Sequence, residues 1–177
     1  IEGWSKVTKA VHDKGGLIFL QIWHTGRSSH PSLIGGETPV APSAIKIDGQ
    51  LYTYEGLAEF PTPRALEISE IKEIVNQFEQ AAKNAIEAGF DGVEIHGANG
   101  YLIDEFLKDG SNKREDEYGG SIENRSKFLF EIIEAVSNSI GNDKTALRLS
   151  PCGAFNGMSD SNPKKHFSYI CEKLNDY

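Results

Sequence analysis

The sequence predicts an α/β fold, specifically part of a (β/α)8 TIM barrel with about three central strands and their helices. Short apolar strand patterns alternate along the chain with longer segments of helical periodicity, and successive strands lie tens of residues apart. Strands so widely separated usually pair in parallel through right-handed crossover connections. No glycine-rich dinucleotide-binding motif follows the first strand, which favours a barrel over a nucleotide-binding open sheet.

The first strand pattern is preceded by a helix pattern. Apolar residues recur with helical spacing between Trp4 and Val11, and Gly15-Gly16 is expected to end that helix. Residues 17–23 then form an apolar run interrupted only by Gln21, which predicts a buried strand.

A long connection and a second helix follow. Residues 24–68 contain most of the prolines and several glycines, which predicts an irregular segment whose length is typical of a functional loop. Ser69 is expected to cap the next helix. Its apolar positions from Ile71 to Ala85 follow a period of 3.6 residues, and Gly89 is expected to end it.

The second half repeats this strand and helix order. Residues 90–96 form a short, β-branched apolar run between glycines, which predicts a second buried strand. A polar loop at 108–120 leads to a long helix that Ser121 is expected to cap and Gly141 to end. Residues 145–150 then predict the third strand.

Pro163 is expected to open the last helix, because proline suits the first turn of a helix.

A complete barrel of this type needs roughly 200 to 400 residues. Residues 1–177 are therefore expected to form a single incomplete TIM-barrel domain, a central piece that lacks the N-terminal and C-terminal strands.

The composition limits the classes of partner. The chain is 38% hydrophobic and 25% charged with a net charge of −8, which is typical of a soluble globular protein. It has neither the basic cluster that nucleic acid requires nor an apolar run near the ~20 residues of a membrane span. Cys152 and Cys171 fit no disulfide framework or metal spacing, so we expect a cytoplasmic protein without a metal site. Open sheet edges would also permit a homo-oligomer.

Three polar side chains lie where the second strand ends. His96 closes the strand, and Asn99 and Tyr101 follow within five residues. Catalytic groups of such barrels lie at the C-terminal ends of the strands. This trio therefore predicts a site that binds a substrate oxygen and protonates a neighbouring atom. Two structural alternatives stay open: Asn99 could cap the next helix, and Tyr101 could be a core ring with a satisfied hydroxyl.

Gln21 and Arg148 place polar groups inside the other two apolar strands. A buried amide or guanidinium without a partner is costly. The structural alternatives are a buried ion pair of Arg148 with Glu94 or another barrel carboxylate and a hydrogen bond of Gln21 to neighbouring backbone. The functional interpretation is that both residues face the barrel axis and hold a planar polar ligand. A flavin fits, because its pyrimidine edge alternates donors and acceptors and its reduced form carries negative charge.

Four segments in order resemble the old yellow enzyme family of flavin-dependent ene-reductases. They are Gln21–Arg27 (QIWHTGR), Gly92–Leu102 (GVEIHGANGYL), Asp116–Arg125 (DEYGGSIENR) and Leu147–Pro151 (LRLSP). The stretch 25–44 is most similar to the bacterial N-ethylmaleimide reductase branch.

The resemblance implies an FMN-containing barrel that uses NADPH, or NADH, to reduce the activated C=C bond of α,β-unsaturated carbonyl or nitro compounds. It assigns Gln21 to the flavin ring and Arg148 to the N1/O2 edge of that ring. His96 and Asn99 would bind the substrate oxygen. Flavin N5 would deliver hydride to the β-carbon, and Tyr101 would give the α-carbon a proton.

Two further segments have weaker assignments. Arg64 matches an arginine near the substrate pocket of close relatives, with a surface salt bridge as the alternative. The segment 118–125 is interpreted as architectural, because Gly119-Gly120 permits a sharp turn and Ser121 caps a helix. His12, His30 and His166 are expected to belong to no functional constellation.

Two other functions stay open. The chain could be an inactive or weakly ligand-binding fragment, because an open half-barrel exposes its sheet edges and inner face. It could also be another FMN barrel, such as a dihydroorotate-type dehydrogenase. Such an enzyme would normally use a Cys or Ser base, so the position of Tyr101 argues against it.

Overall fold

The computed structural model describes residues 1–177 and has a parallel three-stranded sheet at its centre. In chain order the helices and strands are α1 (Glu2–His12), β1 (Phe19–Ile22), β2 (Val40–Ala41), β3 (Gln50–Thr53), β4 (Gly56–Glu59), β5 (Arg64–Ala65), α2 (Ile68–Glu87), β6 (Gly92–Gly97), α3 (Leu102–Leu107), α4 (Ile122–Ile140), β7 (Thr145–Leu149) and α5 (Pro163–Lys173). The central sheet has the order β1–β6–β7, and both pairings are parallel. The three predicted parallel strands are confirmed.

Helices α2 and α4 pack side by side against one face of this sheet. Val93 and Ile95 of β6 point into that face and are completely buried. The opposite face carries Phe19 and Gln21 of β1 and, just after the strand, Trp23, and all three are exposed. One covered and one open face is the geometry of a barrel segment, in which the open face corresponds to the barrel interior.

The ends of the two long helices differ in how closely they follow the sequence pattern. Ser121 caps α4 as predicted, and its hydroxyl accepts a hydrogen bond from the N–H of Asn124 at 3.2 Å. The prediction that Ser69 caps α2 is wrong. The helix begins two residues earlier, after Glu67, whose N–H donates to the Glu70 carboxylate at 2.8 Å. Ser69 therefore lies inside the first turn.

The connection at 24–68 is more ordered than predicted. It contains a hairpin, β3–β4, and a short parallel pair, β2–β5. The Thr53 hydroxyl closes the hairpin turn by accepting from the N–H of Glu55 at 3.2 Å and donating to the carbonyl of Gly56 at 2.9 Å. The two-residue turn has no Asn-Gly or Asp-Gly signal, so the sequence pattern did not reveal the hairpin.

A buried polar cluster ties α4 to α5. His166 lies between the Ser126 hydroxyl, 2.9 Å from Nε2, and the Asp160 carboxylate, 3.2 Å from Nδ1. Arg125 binds the same carboxylate at 2.6 Å. His166 thus belongs to a buried polar network that the sequence pattern did not reveal. Although the order Ser, His, Asp resembles a hydrolase triad, Ser126 and His166 are completely buried and no substrate can reach them. The cluster is structural, and Arg125 also donates to the carbonyl of Leu107.

We expect His166 to make stability depend on pH. Burial lowers the pKa of His166 below 6.5, and the charge of Arg125 lowers it further. The unfolded chain therefore binds more protons below pH 6.5, and the free energy of unfolding should fall as the pH decreases. Burial also lowers the pKa of His24 and of His96, so His166→Gln should remove one of three contributions.

Urea unfolding at a series of pH values measures this effect. Removing the proton that His166 takes up on unfolding would reduce the slope of the unfolding free energy against pH by as much as about 1.4 kcal/mol per pH unit. His12→Gln is the matched control, because His12 is partly exposed on α1 beside Asp91. An unchanged slope in His166→Gln would contradict the prediction.

None of the helices is both long and apolar enough to cross a membrane.

Candidate functional site

His96 lies at the C-terminal end of β6 and is 5% exposed. Neither Nδ1 nor Nε2 of its ring has a hydrogen-bond partner in the protein. Burial lowers the pKa of His96, and the nearby charge of Arg148 acts in the same direction. The ring is therefore neutral at neutral pH, with one nitrogen able to donate and the other able to accept. Because a buried polar group without a partner is costly, these two nitrogens indicate a ligand.

Tyr101 and Trp23 complete an aromatic group around His96. The Tyr101 ring lies 4.5 Å from the Trp23 ring and 5.3 Å from the His96 ring, measured between centroids. Trp23 meets His96 edge-on at 5.6 Å. The Tyr101 ring is half-buried, and its hydroxyl makes no hydrogen bond with the protein. The alternative of a core ring with a satisfied hydroxyl therefore does not describe Tyr101.

Asn99 lies in the turn between β6 and α3. Its backbone is left-handed, with φ of 57°, and Gly100 follows with φ of 74°. The N–H of Asn99 donates to the Ser150 hydroxyl at 2.8 Å. Its side chain does not cap α3, because Tyr101 occupies the N-cap position and no side-chain capping bond forms. The Asn99 amide is half-buried and remains available to a ligand beside His96.

Gln21 and Arg148 lie on the open face of the sheet. Gln21 pairs in register with Glu94, and His96 pairs with Arg148. The Gln21 amide donates to the Glu94 carboxylate, so Glu94 binds Gln21 and not Arg148. Arg148 is exposed and forms no ion pair with the protein. Neither structural alternative from the sequence describes these residues, and both side chains can reach a ligand on the open face.

Arg64 makes no hydrogen bond with any of these site residues. Its guanidinium binds the Glu70 carboxylate through two hydrogen bonds of 2.7 and 2.8 Å. The hydrogen bonds from Arg64 and from the N–H of Glu67 lower the pKa of Glu70 to about 2. The structure thus shows the surface salt bridge that the sequence left as the alternative. A substrate contact by Arg64 stays a prediction that requires this pair to open.

Sequence reasoning missed a recess of about 400 Å³ beside Tyr101. One wall is the β3 hairpin, including Leu51, and the other includes Phe155 and Asn156. The walls come from segments that are more than 90 residues apart in the chain, so only the folded structure brings them together. The single sequence signal was the unusual length of the 24–68 connection.

A parallel barrel segment with polar groups at the carboxyl ends of its strands places this chain in the class of (β/α)8-barrel proteins, whose chemistry lies at those ends. The family model described as NADH:flavin oxidoreductase / NADH oxidase matches residues 1–176. The chain belongs to this family, which includes the old yellow enzymes, and the resemblance found in the sequence is confirmed.

Similar proteins agree with this assignment. The flavin oxidoreductase hxnT of Emericella nidulans is 55% identical over 98% of this chain and 45% of its own length. A probable flavin mononucleotide-dependent alkene reductase of Leishmania infantum is 53% identical over 99% of this chain and 50% of its own length. The chain thus spans about half the length of the curated relatives it matches.

Solved structures confirm the fold. The old yellow enzyme homologue of Zymomonas mobilis has a TM-score of 0.96 and 48% identity, covering 99% of this chain and 49% of its own. Morphinone reductase in complex with tetrahydroNAD has a TM-score of 0.93 and 44% identity, covering 98% of this chain and 50% of its own. The prediction of a partial TIM barrel is therefore confirmed, whereas the N-ethylmaleimide reductase branch stays a prediction.

The family implies FMN as cofactor, and the residues on the open face fit one end of it. An amide at Gln21 and an unpaired guanidinium at Arg148 suit the polar edge of a flavin ring. The unpartnered ring of His96 lies directly beside Arg148 in the sheet register. A phosphate group needs several backbone N–H donors and a cation, and no segment of the 177 residues resembles such a cradle. The fit is therefore to the ring end.

Proposed function

We propose that this chain carries the substrate-oxygen and proton-donor part of an ene-reductase site. The reaction is the reduction of an activated C=C bond in an α,β-unsaturated carbonyl or nitro compound, with FMN as cofactor and NADPH or NADH as reductant. The observation that carries the proposal is the buried His96 ring, with both nitrogens unpartnered, beside the unpaired hydroxyl of Tyr101. Relatives named as an alkene reductase and as oxophytodienoate reductases support it.

His96 and Asn99 would bind the substrate oxygen. An N–H of the neutral imidazole and the side-chain amide of Asn99 can both donate to a carbonyl or nitro oxygen. Negative charge grows on this oxygen as the conjugated bond is reduced, so fixed donors stabilise the transition state more than the ground state. FMN, when bound, would supply the hydride.

Tyr101 would supply the proton. Its hydroxyl has no competing partner in the protein, and contacts with Trp23 and His96 orient its ring. Adding a proton to the α-carbon completes the reduction, because the C=C bond gains one hydride and one proton. Gln21 and Arg148 would bind the polar edge of the cofactor ring on the open face, where the fixed charge of Arg148 suits a reduced, anionic ring.

A phenol titration tests the oxygen-binding pair. Para-substituted phenols should bind the oxidised, FMN-loaded full-length protein as phenolates, because two donors favour the charged form. A long-wavelength absorption band should grow during the titration. Replacing His96 by Ala together with Asn99→Gly should abolish the band. Glycine is the better replacement at position 99, because it adopts the φ of 57° without strain.

His12→Ala is the matched control for this titration. His12 binds Asp91, just before β6 begins, and thus lies at the opposite end of the strand from His96. The control should keep the band and the phenol affinity. If the double variant keeps both as well, the oxygen-binding site lies elsewhere and the proposed function loses its support.

A further inference from the structure

A completely buried carboxylate lies directly beneath the turn that carries Asn99 and Tyr101. Asp104 belongs to the first turn of α3 and has 0% side-chain exposure. Its Oδ2 accepts a hydrogen bond from the N–H of Gly100 at 2.9 Å and one from the Ser150 hydroxyl at 3.3 Å. The carboxylate thus binds the backbone of the candidate site.

Ser150 extends this contact to the preceding residue. Its hydroxyl oxygen accepts from the N–H of Asn99 at 2.8 Å while its hydrogen is directed to Asp104. The backbone N–H groups of two consecutive residues, Asn99 and Gly100, are therefore held by one connected pair of side chains. Both residues are left-handed, with φ of 57° and 74°. Asparagine visits this region only at some cost, so such a turn persists where its surroundings hold it.

Lys108 secures the pair from the other side. Its side chain is 1% exposed, and its ammonium donates to Asp104 Oδ2 at 3.2 Å. It also donates to the carbonyls of Ser150 and Gly153, each at 2.9 Å. All three donors of the ammonium are thus used, and two of them bind the segment that follows β7. The lysine fixes the end of β7 relative to the turn that follows β6.

We propose that Asp104 and Lys108 are positioning residues for the substrate-oxygen site. Their buried pair holds the 99–101 turn in its left-handed form, so that the Asn99 amide and the Tyr101 hydroxyl converge with His96 on one point. The inference rests on the proposed function and goes beyond it, because neither residue touches the substrate. Loss of the Asp104–Lys108 pair should therefore displace both the Asn99 amide and the Tyr101 hydroxyl.

The test uses Asp104→Asn and Lys108→Met in the FMN-loaded full-length protein that contains these residues. Each variant keeps the approximate size of the side chain and removes its charge. A displacement of the turn should weaken phenolate binding and slow C=C reduction at saturating substrate, each by ~10-fold or more. Reduction of FMN at saturating NADPH should be slowed less than C=C reduction, since only the second half-reaction needs the Tyr101 proton. Hydrogen exchange at the amides of Asn99 and Gly100 should become faster without any ligand.

Asp160→Asn is the matched control for lost stability. It breaks another buried ion pair, with Arg125, that touches neither the 99–101 turn nor Ser150. The control should lower the thermal midpoint while phenolate affinity stays within about twofold. If it weakens phenolate binding as much as Asp104→Asn does, the Asp104 pair is structural only and the inference fails.

Ser150→Ala provides a second route should the charge variants not fold. It removes a single hydroxyl from the same network, and it should speed exchange at Asn99 and weaken phenolate binding by severalfold. Unchanged values for both would overturn the inference. The wild-type protein separates this failure from that of the proposed function. If phenolate binds and requires His96 while the network variants bind equally well, only the positioning role is wrong.

Discussion

Tyr101→Phe is expected to slow C=C reduction by ~10² or more, the usual range for a lost general acid. Reduction of FMN by NADPH should stay nearly intact, because that half-reaction needs no proton from the phenol. Phenylalanine keeps the ring that packs 4.5 Å from Trp23 and loses only a hydroxyl that has no partner in the protein. The folded structure should therefore be retained. Separate stopped-flow measurements of FMN reduction by NADPH and of C=C reduction by the reduced protein show whether only the second rate falls.

Tyr54→Phe is the matched control for this change. Tyr54 lies in the turn of the β3–β4 hairpin and is 90% exposed, so its phenol should contribute to neither half-reaction. Equal losses in both half-reactions of Tyr101→Phe would show that Tyr101 is structural. A loss confined to C=C reduction in both variants would instead assign the effect to the recess that the hairpin lines.

The end of β6 was predictable because it combines two independent signals. A β-branched run between glycines marks a buried parallel strand, and the C-terminal end of such a strand locates the polar residues His96, Asn99 and Tyr101. The backbone of Asn99 was not predictable. Its left-handed backbone bonds through the N–H of Asn99 to Ser150, which lies 51 residues later in the chain. Local sequence contains no information about that bond.

The charged residues of α3 and of its C-cap position show the same limit more clearly. Asp104, Glu105 and Lys108 would be placed on a solvated face by sequence pattern, since charged side chains are rarely fully buried. All three are buried here, and several of the hydrogen bonds that compensate for the lost water come from distant segments, such as the bonds of Lys108 to the carbonyls of Ser150 and Gly153. For Glu105 the distant partner is the N–H of Arg27, at 3.0 Å. Burial raises the pKa of Glu105 well above its usual value.

The open face of the sheet leads to the second large expectation, which concerns the polypeptide 1–177 purified alone. Gln21 and Arg148 can bind only the ring end of FMN. The phosphate in a complete site makes charge-assisted hydrogen bonds of roughly 1.5 to 3 kcal/mol each. Losing several of them weakens binding by orders of magnitude, at about 1.4 kcal/mol for each factor of ten. We therefore expect this polypeptide to be colourless and inactive as an ene-reductase.

Association should accompany the loss of cofactor. Leu17, Phe19 and Trp23 are 78, 45 and 51% exposed on and beside β1, which is an edge strand of the sheet. Exposed apolar side chains along an unpaired strand edge favour contact with another chain. Sedimentation of the purified polypeptide should show species larger than a monomer. Charged replacements at Phe19 and Trp23 should reduce their proportion.

Riboflavin provides the control that separates ring binding from phosphate binding. If the chain contacts only the ring, the flavin fluorescence should change in the same way when riboflavin or FMN is titrated with the protein. The two dissociation constants should then agree within about twofold. Arg148→Gln should weaken the binding of both flavins equally, because in the proposed arrangement the guanidinium would face the ring edge and not the phosphate. FMN binding tenfold or more tightly than riboflavin would reveal a phosphate site within residues 1–177. A yellow, monomeric 177-residue protein that oxidises NADPH with cyclohexenone would refute the expectation altogether, since the open inner face would then suffice for the complete reaction.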